Sequence, residues 1–114
     1  MLFKRLAREE ANSDYIFPTE LHICLEEIEQ ILGIKLEFFI DDLGETYDAL
    51  IETKNGIHIA FVCRKAHKYQ HLIIGVEEKV FRTNKDYRTL LENELSLLGI
   101  PVDTFYYFNP PRDS

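Results

Sequence analysis

Apolar and polar positions repeat along this chain with two different periods. Over residues 19–32, Leu21, Cys24, Leu25, Ile28, Ile31 and Leu32 recur at the spacing of one helical face, and Glu26, Glu27, Glu29 and Gln30 take the other side. Thr19 is placed to cap that helix, Glu20 suits its first turn and Gly33 is a natural stop. A second helical stripe, Tyr87, Leu90, Leu91, Leu95 and Leu98, runs through residues 84–98. Thr83 or Asn84 caps it, and Gly99 and Pro101 end it. Between and after these helices the period drops to two. Residues 35–40, 46–53, 57–64, 71–76 and 105–108 read as strands, with residues 66–70 as a polar loop and the last strand wholly aromatic.

Turn residues fix how the strands connect. Asp41-Asp42-Leu43-Gly44 separates the first two. Asn55-Gly56 is the signature of a two-residue hairpin loop, which sets Lys54 opposite Ile57. That register puts Asp48 opposite Cys63, Leu50 opposite Phe61, Glu52 opposite Ile59 and Thr46 opposite Lys65. Both faces of this hairpin then read as largely apolar, so it is expected to be covered on both sides, as is the aromatic strand. The order α-β-β-β-β-α-β with short turns predicts a single α+β domain: an antiparallel meander sheet with helices packed on it. Residues 1–18, ending at Pro18, are a lead-in; 19–108 form the domain; 109–114 form a Pro-containing tail.

The length of 114 residues fits one domain, and 46% hydrophobic with 29% charged residues is globular composition. No apolar run approaches a membrane span, and Met1 to Arg8 lacks the apolar stretch of a signal peptide. Cys24 and Cys63 both sit in apolar periodic segments and read as reduced core thiols, which points to a cytoplasmic protein. Charge changes the picture more. Residues 9–52 carry thirteen Asp/Glu and one Lys, whereas residues 1–8 and 53–114 are each slightly basic, within a total of −7. Such a split sets up a field that attracts a basic partner.

Candidate chemistry is sparse. In the expected register Asp48, Cys63 and Lys65 cluster on one face. This resembles the PD-(D/E)xK nucleases, in which an Asp on one hairpin strand faces Glu-x-Lys on the next. The resemblance implies a metal-binding role for Asp48 and a catalytic one for Lys65. Cys63 stands where that family has Glu, and Tyr47 where it has Pro. A thiol is a poor ligand for Mg²⁺, so the resemblance implies a degenerate site. Glu77-Glu78-Lys79 is a second Glu-x-Lys frame, without a facing Asp. Cys63, His67 and His71 have metal-like spacing, but exposed loop histidines are the simpler account. Cys63 with a loop His is also a candidate nucleophilic pair, although a strand-interior thiol is more often inert. No Gly-rich phosphate loop exists. Arg64-Lys65-Ala66-His67-Lys68-Tyr69 is a short basic cluster that reads as a solvated hairpin tip, and the 105–108 aromatics mark either an interface or a core strand.

These features favour a non-enzymatic domain with no metal or cofactor. It would neutralise or escort a basic protein such as a toxin, as small acidic bacterial immunity proteins and antitoxins do. Glu26, Glu27, Glu29, Asp41, Asp42 and Glu45 are the candidate contacts. Nucleic acid and membrane are not expected as partners. The alternatives are the nuclease-like domain centred on Asp48 and Lys65, and a dimeric secretion chaperone.

Overall fold

The computed structural model describes residues 3–7, 14–42, 44–83 and 87–107; of Pro18, Asp41, Phe81, Thr83, Val102, Tyr106 and Tyr107 only the backbone is described. It is a compact α+β domain built on one antiparallel sheet. The strands are β1 (Phe3–Leu6), β2 (Tyr15–Leu21), β3 (Glu37–Asp41), β4 (Gly44–Thr53), β5 (His58–Arg64), β6 (Leu72–Glu77) and β7 (Phe105–Tyr107); the helices are α1 (Leu25–Leu32), α2 (Glu78–Thr83) and α3 (Tyr87–Leu97). Spatial order is β1-β4-β5-β6-β2-β7, with β3 also on β4. The ten-residue β4 is long enough to take two partners along one side: β3 beside Gly44–Asp48 and β1 beside Leu50–Thr53.

Two strands stand where the hydrophobic pattern gave no strand. Phe3–Leu6, within the expected lead-in, pairs with β4. Tyr15–Leu21 lies between β6 and β7, so the first helix starts at Leu25 and not near Thr19. Leu21 fits a helical stripe with Leu25 and Ile28 and also an alternation with Thr19 and Ile23, and tertiary pairing decides between them. Pro18, which lacks a ladder donor, falls within the register shift between Ile16 and Thr19, where a bulge tolerates it. Thr19 is fully buried in the sheet, and Cys24 takes the N-cap position. The helix expected over residues 84–98 is α3, and a further short helix, α2, follows β6 where no element was expected; Asn84, Phe108 and the 109–114 tail lie outside the described residues.

The core is a single cluster on one face of the sheet. Ala49, Ile51, Ile59, Phe61, Cys63, Leu72, Ile74 and Val76 project toward Ile28 and Leu32 of α1 and Leu91 and Leu95 of α3. Strand β5 alternates strictly between buried and half-buried positions, as a strand covered on one side does. Both helices that contribute to the core, α1 and α3, pack on this one face, so the expected covering of both faces by the two helices is not found.

The β4–β5 hairpin also closes differently from the expected two-residue loop. Thr53 N donates to Ile57 O at 2.8 Å and Gly56 N to Thr53 O at 2.9 Å, with Gly56 at φ +81. Lys54, Asn55 and Gly56 form a three-residue loop, a turn followed by a left-handed glycine. Asp48 consequently pairs with Val62, and Cys63 with Tyr47. A one-residue slip moves a strand's side chains to the other face.

Candidate functional site

Register decides what the uncovered face carries. Asp48, Leu50 and Glu52 of β4 share it with Ala60, Val62 and His58 of β5, with Glu37 of β3 and with Leu6 of β1. Gly75 extends it onto β6, where the Phe17 ring lies so close that a Cβ would meet its Cε1 at 2.6 Å. Leu6, Leu50, Ala60 and Val62 form the floor of a cleft of about 540 Å³, walled by Tyr15 and Phe17. Phe17 is 42% exposed, while Leu6 is buried although it lies outside the helix-side core.

Polar groups edge this apolar floor. Glu37 and Asp48 are direct cross-strand partners, and both line the cleft. Arg5 reaches the cleft too, while its guanidinium donates to Lys35 O at 2.7 Å. Burial and the nearby Glu77 carboxylate push the Tyr15 phenol up to about 12, and its hydroxyl is buried with no hydrogen-bond partner among the described residues. A chain of ion pairs crosses three strands beside the cleft. Glu52 Oε1 lies 3.0 Å from His58 Nε2, His58 Nδ1 lies 3.7 Å from Glu77, and Glu77 lies 3.5 Å from Lys79 Nζ.

The six acidic residues singled out from sequence lie elsewhere and are not equivalent. Glu26 and Asp42 are exposed, and Asp41 is described only in its backbone. Glu27, also exposed, accepts from the Cys24 thiol at 3.5 Å. Glu29 accepts from Leu36 N at 2.8 Å and lies 3.6 Å from Lys35 Nζ, so it ties the α1–β3 connection together. Glu45 pairs with Lys65 at 3.1 Å. The basic 64–68 segment stands between the two acidic stretches: Lys65 meets Glu45, and Lys68 O accepts from Leu25 N at the start of α1. Charges segregated along the sequence are thus interleaved in space.

The nuclease-like arrangement is not assembled. Asp48 points to the uncovered face, whereas Cys63 is fully buried on the helix side. Lys65 sits in the short 3-10 turn Lys65–His67, paired with Glu45. Burial, then the neighbouring Cys24, pushes the Cys63 thiol up to about 11, which keeps it protonated and a poor nucleophile. Cys63 does not face the rings of His67 and His71 either; its sulfur donates to the His71 carbonyl at 3.6 Å. No protein-family model, no curated protein and no solved structure matches this chain.

Proposed function

We propose that this chain is a non-enzymatic protein-binding domain that takes a basic partner on the uncovered face of its sheet and neutralises or escorts it, in the manner of an immunity protein or antitoxin. The observation that carries the reading is the cleft: a small-residue apolar floor edged by the directly opposed Glu37 and Asp48. A partner's aliphatic side chain fits such a floor, and a Lys or Arg beside it meets two carboxylates in one step, a charge-assisted contact at the edge of a desolvated centre. The net charge of −7 adds long-range attraction that raises the association rate with a basic partner. Relative to the sequence expectation, the contact surface moves from α1 and the β3–β4 turn to the sheet.

The test is a pull-down from the native cell at low and high salt, with identified partners remeasured as purified proteins. Glu37→Lys and Glu52→Lys on the sheet are compared with Glu26→Lys and Asp42→Lys at the other site, all checked for folding by circular dichroism. Loss of a stoichiometric basic protein with the first pair alone supports the sheet face. Loss with the second pair alone returns the site to α1 and the turn. Recovery of nucleic acid alone overturns the reading.

A further inference from the structure

The register of β2 and β6 brings together three side chains that are far apart in sequence. Leu21 pairs with Leu72 and Glu20 with Ile73. One step beyond the Leu21–Leu72 pair, His22 therefore stands beside His71, and alternation puts Glu20 on the same face as both. Glu20 Oε1 lies 3.1 Å from His71 Nδ1 and 3.5 Å from His22 Nε2. His67, in the turn before β6, stacks its ring on His71 with centroids 4.6 Å apart, and its carbonyl accepts from His71 N at 3.1 Å. Two short-range pairs, Glu20-x-His22 and His67-x3-His71, thus meet at one end of the sheet.

We propose that Glu20, His22 and His71 form a site for a divalent transition ion of the zinc, cobalt or nickel type, with a fourth position open to water. Bonds of 2.0–2.1 Å to a tetrahedral ion put neighbouring donor atoms about 3.3 Å apart; the two Glu20 distances bracket that spacing. The donor set of two imidazoles and one carboxylate suits these ions and disfavours Mg²⁺ and Ca²⁺, which take oxygen. Among the described residues no group of three such side chains already surrounds a common point. The two rings stand too far apart for one ion as they are: the His22 and His71 centroids are 6.4 Å apart, against about 5 Å for two imidazoles on one tetrahedral ion. Closing that gap takes a movement of about 1.4 Å by one ring. His22 is the ring placed to make it, being 58% exposed and just past the end of β2, whereas Glu20 lies within β2 and is only 14% exposed and His71, 27% exposed, is stacked on His67. The half-buried carboxylate gives the ion a fixed anchor. His67 braces the His71 ring from the side.

Calorimetry of the whole chain with zinc, together with the visible spectrum of the cobalt-loaded protein, tests the site. One ion per chain with micromolar or tighter affinity, and tetrahedral cobalt bands without a thiolate charge-transfer band, is expected. His22→Ala and Glu20→Gln should weaken zinc roughly tenfold or more, and each by more than His67→Ala, which removes only a ring stacked on His71. Absence of binding, a thiolate band, or affinity unchanged in both His22→Ala and Glu20→Gln would overturn the proposal. The thermal shift given by zinc, measured in each variant, separates a lost site from a lost fold.

Discussion

Asn55, at the tip of the β4–β5 hairpin, donates its side-chain amide to Glu94 of α3 at 2.9 Å. The other Glu94 oxygen accepts from Thr53 Oγ1 at 2.8 Å, and that hydroxyl accepts in turn from Ile57 N at 3.1 Å. A carboxylate that is 2% exposed thereby holds both the loop and the Thr53–Ile57 closure that sets the register of the central hairpin. Glu94→Ala leaves the buried Thr53 hydroxyl without its acceptor and releases the exposed Asn55 amide to water, and should lower unfolding stability by about 1–2 kcal/mol. Glu94→Gln keeps one acceptor and should cost clearly less. Urea midpoints at neutral pH measure both.

The register itself is open to a covalent test. Directly opposed residues on antiparallel strands have Cα atoms about 4.5–5.5 Å apart, within disulfide range. Asp48→Cys with Val62→Cys, in a chain whose native cysteines are replaced by alanine, should oxidise to a bridged form that migrates faster on a non-reducing gel. Asp48→Cys against native Cys63 should stay reduced, because the two side chains leave opposite faces of the sheet. The reverse result would restore the two-residue loop and the Asp48–Cys63 cluster.

Much of the sheet was legible in the sequence because alternation and turn residues are local signals. Residues 35–64 gave three strands and their order that way. The hairpin loop was not fully legible. Asn-Gly serves both the two-residue loop and the three-residue loop ending in a left-handed glycine, and the choice is made here by Glu94, forty residues away. Strand β2 was hidden for a related reason: Leu21 spirals with Leu25 and Ile28 as well as it alternates with Thr19 and Ile23, and only the pairing with β6 and β7 separates the two readings. Candidate sites inherited these errors. With Cys63 on the helix side the nuclease-like cluster dissolves, and the neighbours of His71 prove to be Glu20 and His22, on a strand the periodicity had placed in a helix.

Gly75 lets the Phe17 ring lie flat against the sheet. A Cβ there would meet three ring carbons at 2.6–3.1 Å. Gly75→Ala should therefore displace Phe17 from the cleft wall. The destabilisation is expected to be about 1 kcal/mol, at the low end for overpacking because a 42% exposed ring has somewhere to go. If the cleft is the partner site, affinity should fall more than stability does. Thermal unfolding and a binding isotherm on the same sample compare the two.

Stability should decline on the alkaline side through Cys63. Its thiol is pushed from an ordinary value of 9.0 up to about 11 by burial and by Cys24. The folded state thus favours the neutral form. That preference contributes fully below pH 9, where the unfolded thiol is also protonated. It is lost as pH rises from about 9 to about 11, with a slope of at most roughly 1.4 kcal/mol per pH unit from this group. Tyr15, raised to about 12, adds a second loss that begins about one unit higher. Urea unfolding from pH 8 to 10.5 should show the fall, and Cys63→Ala should flatten its first part. The same variant should be less stable at pH 7, by about 1–2 kcal/mol for the lost buried volume. Over the same range native Cys63 should resist a thiol reagent that labels it within the mixing time in urea. A flat pH profile together with rapid native labelling of Cys63 would place that thiol at the surface and not beneath α1.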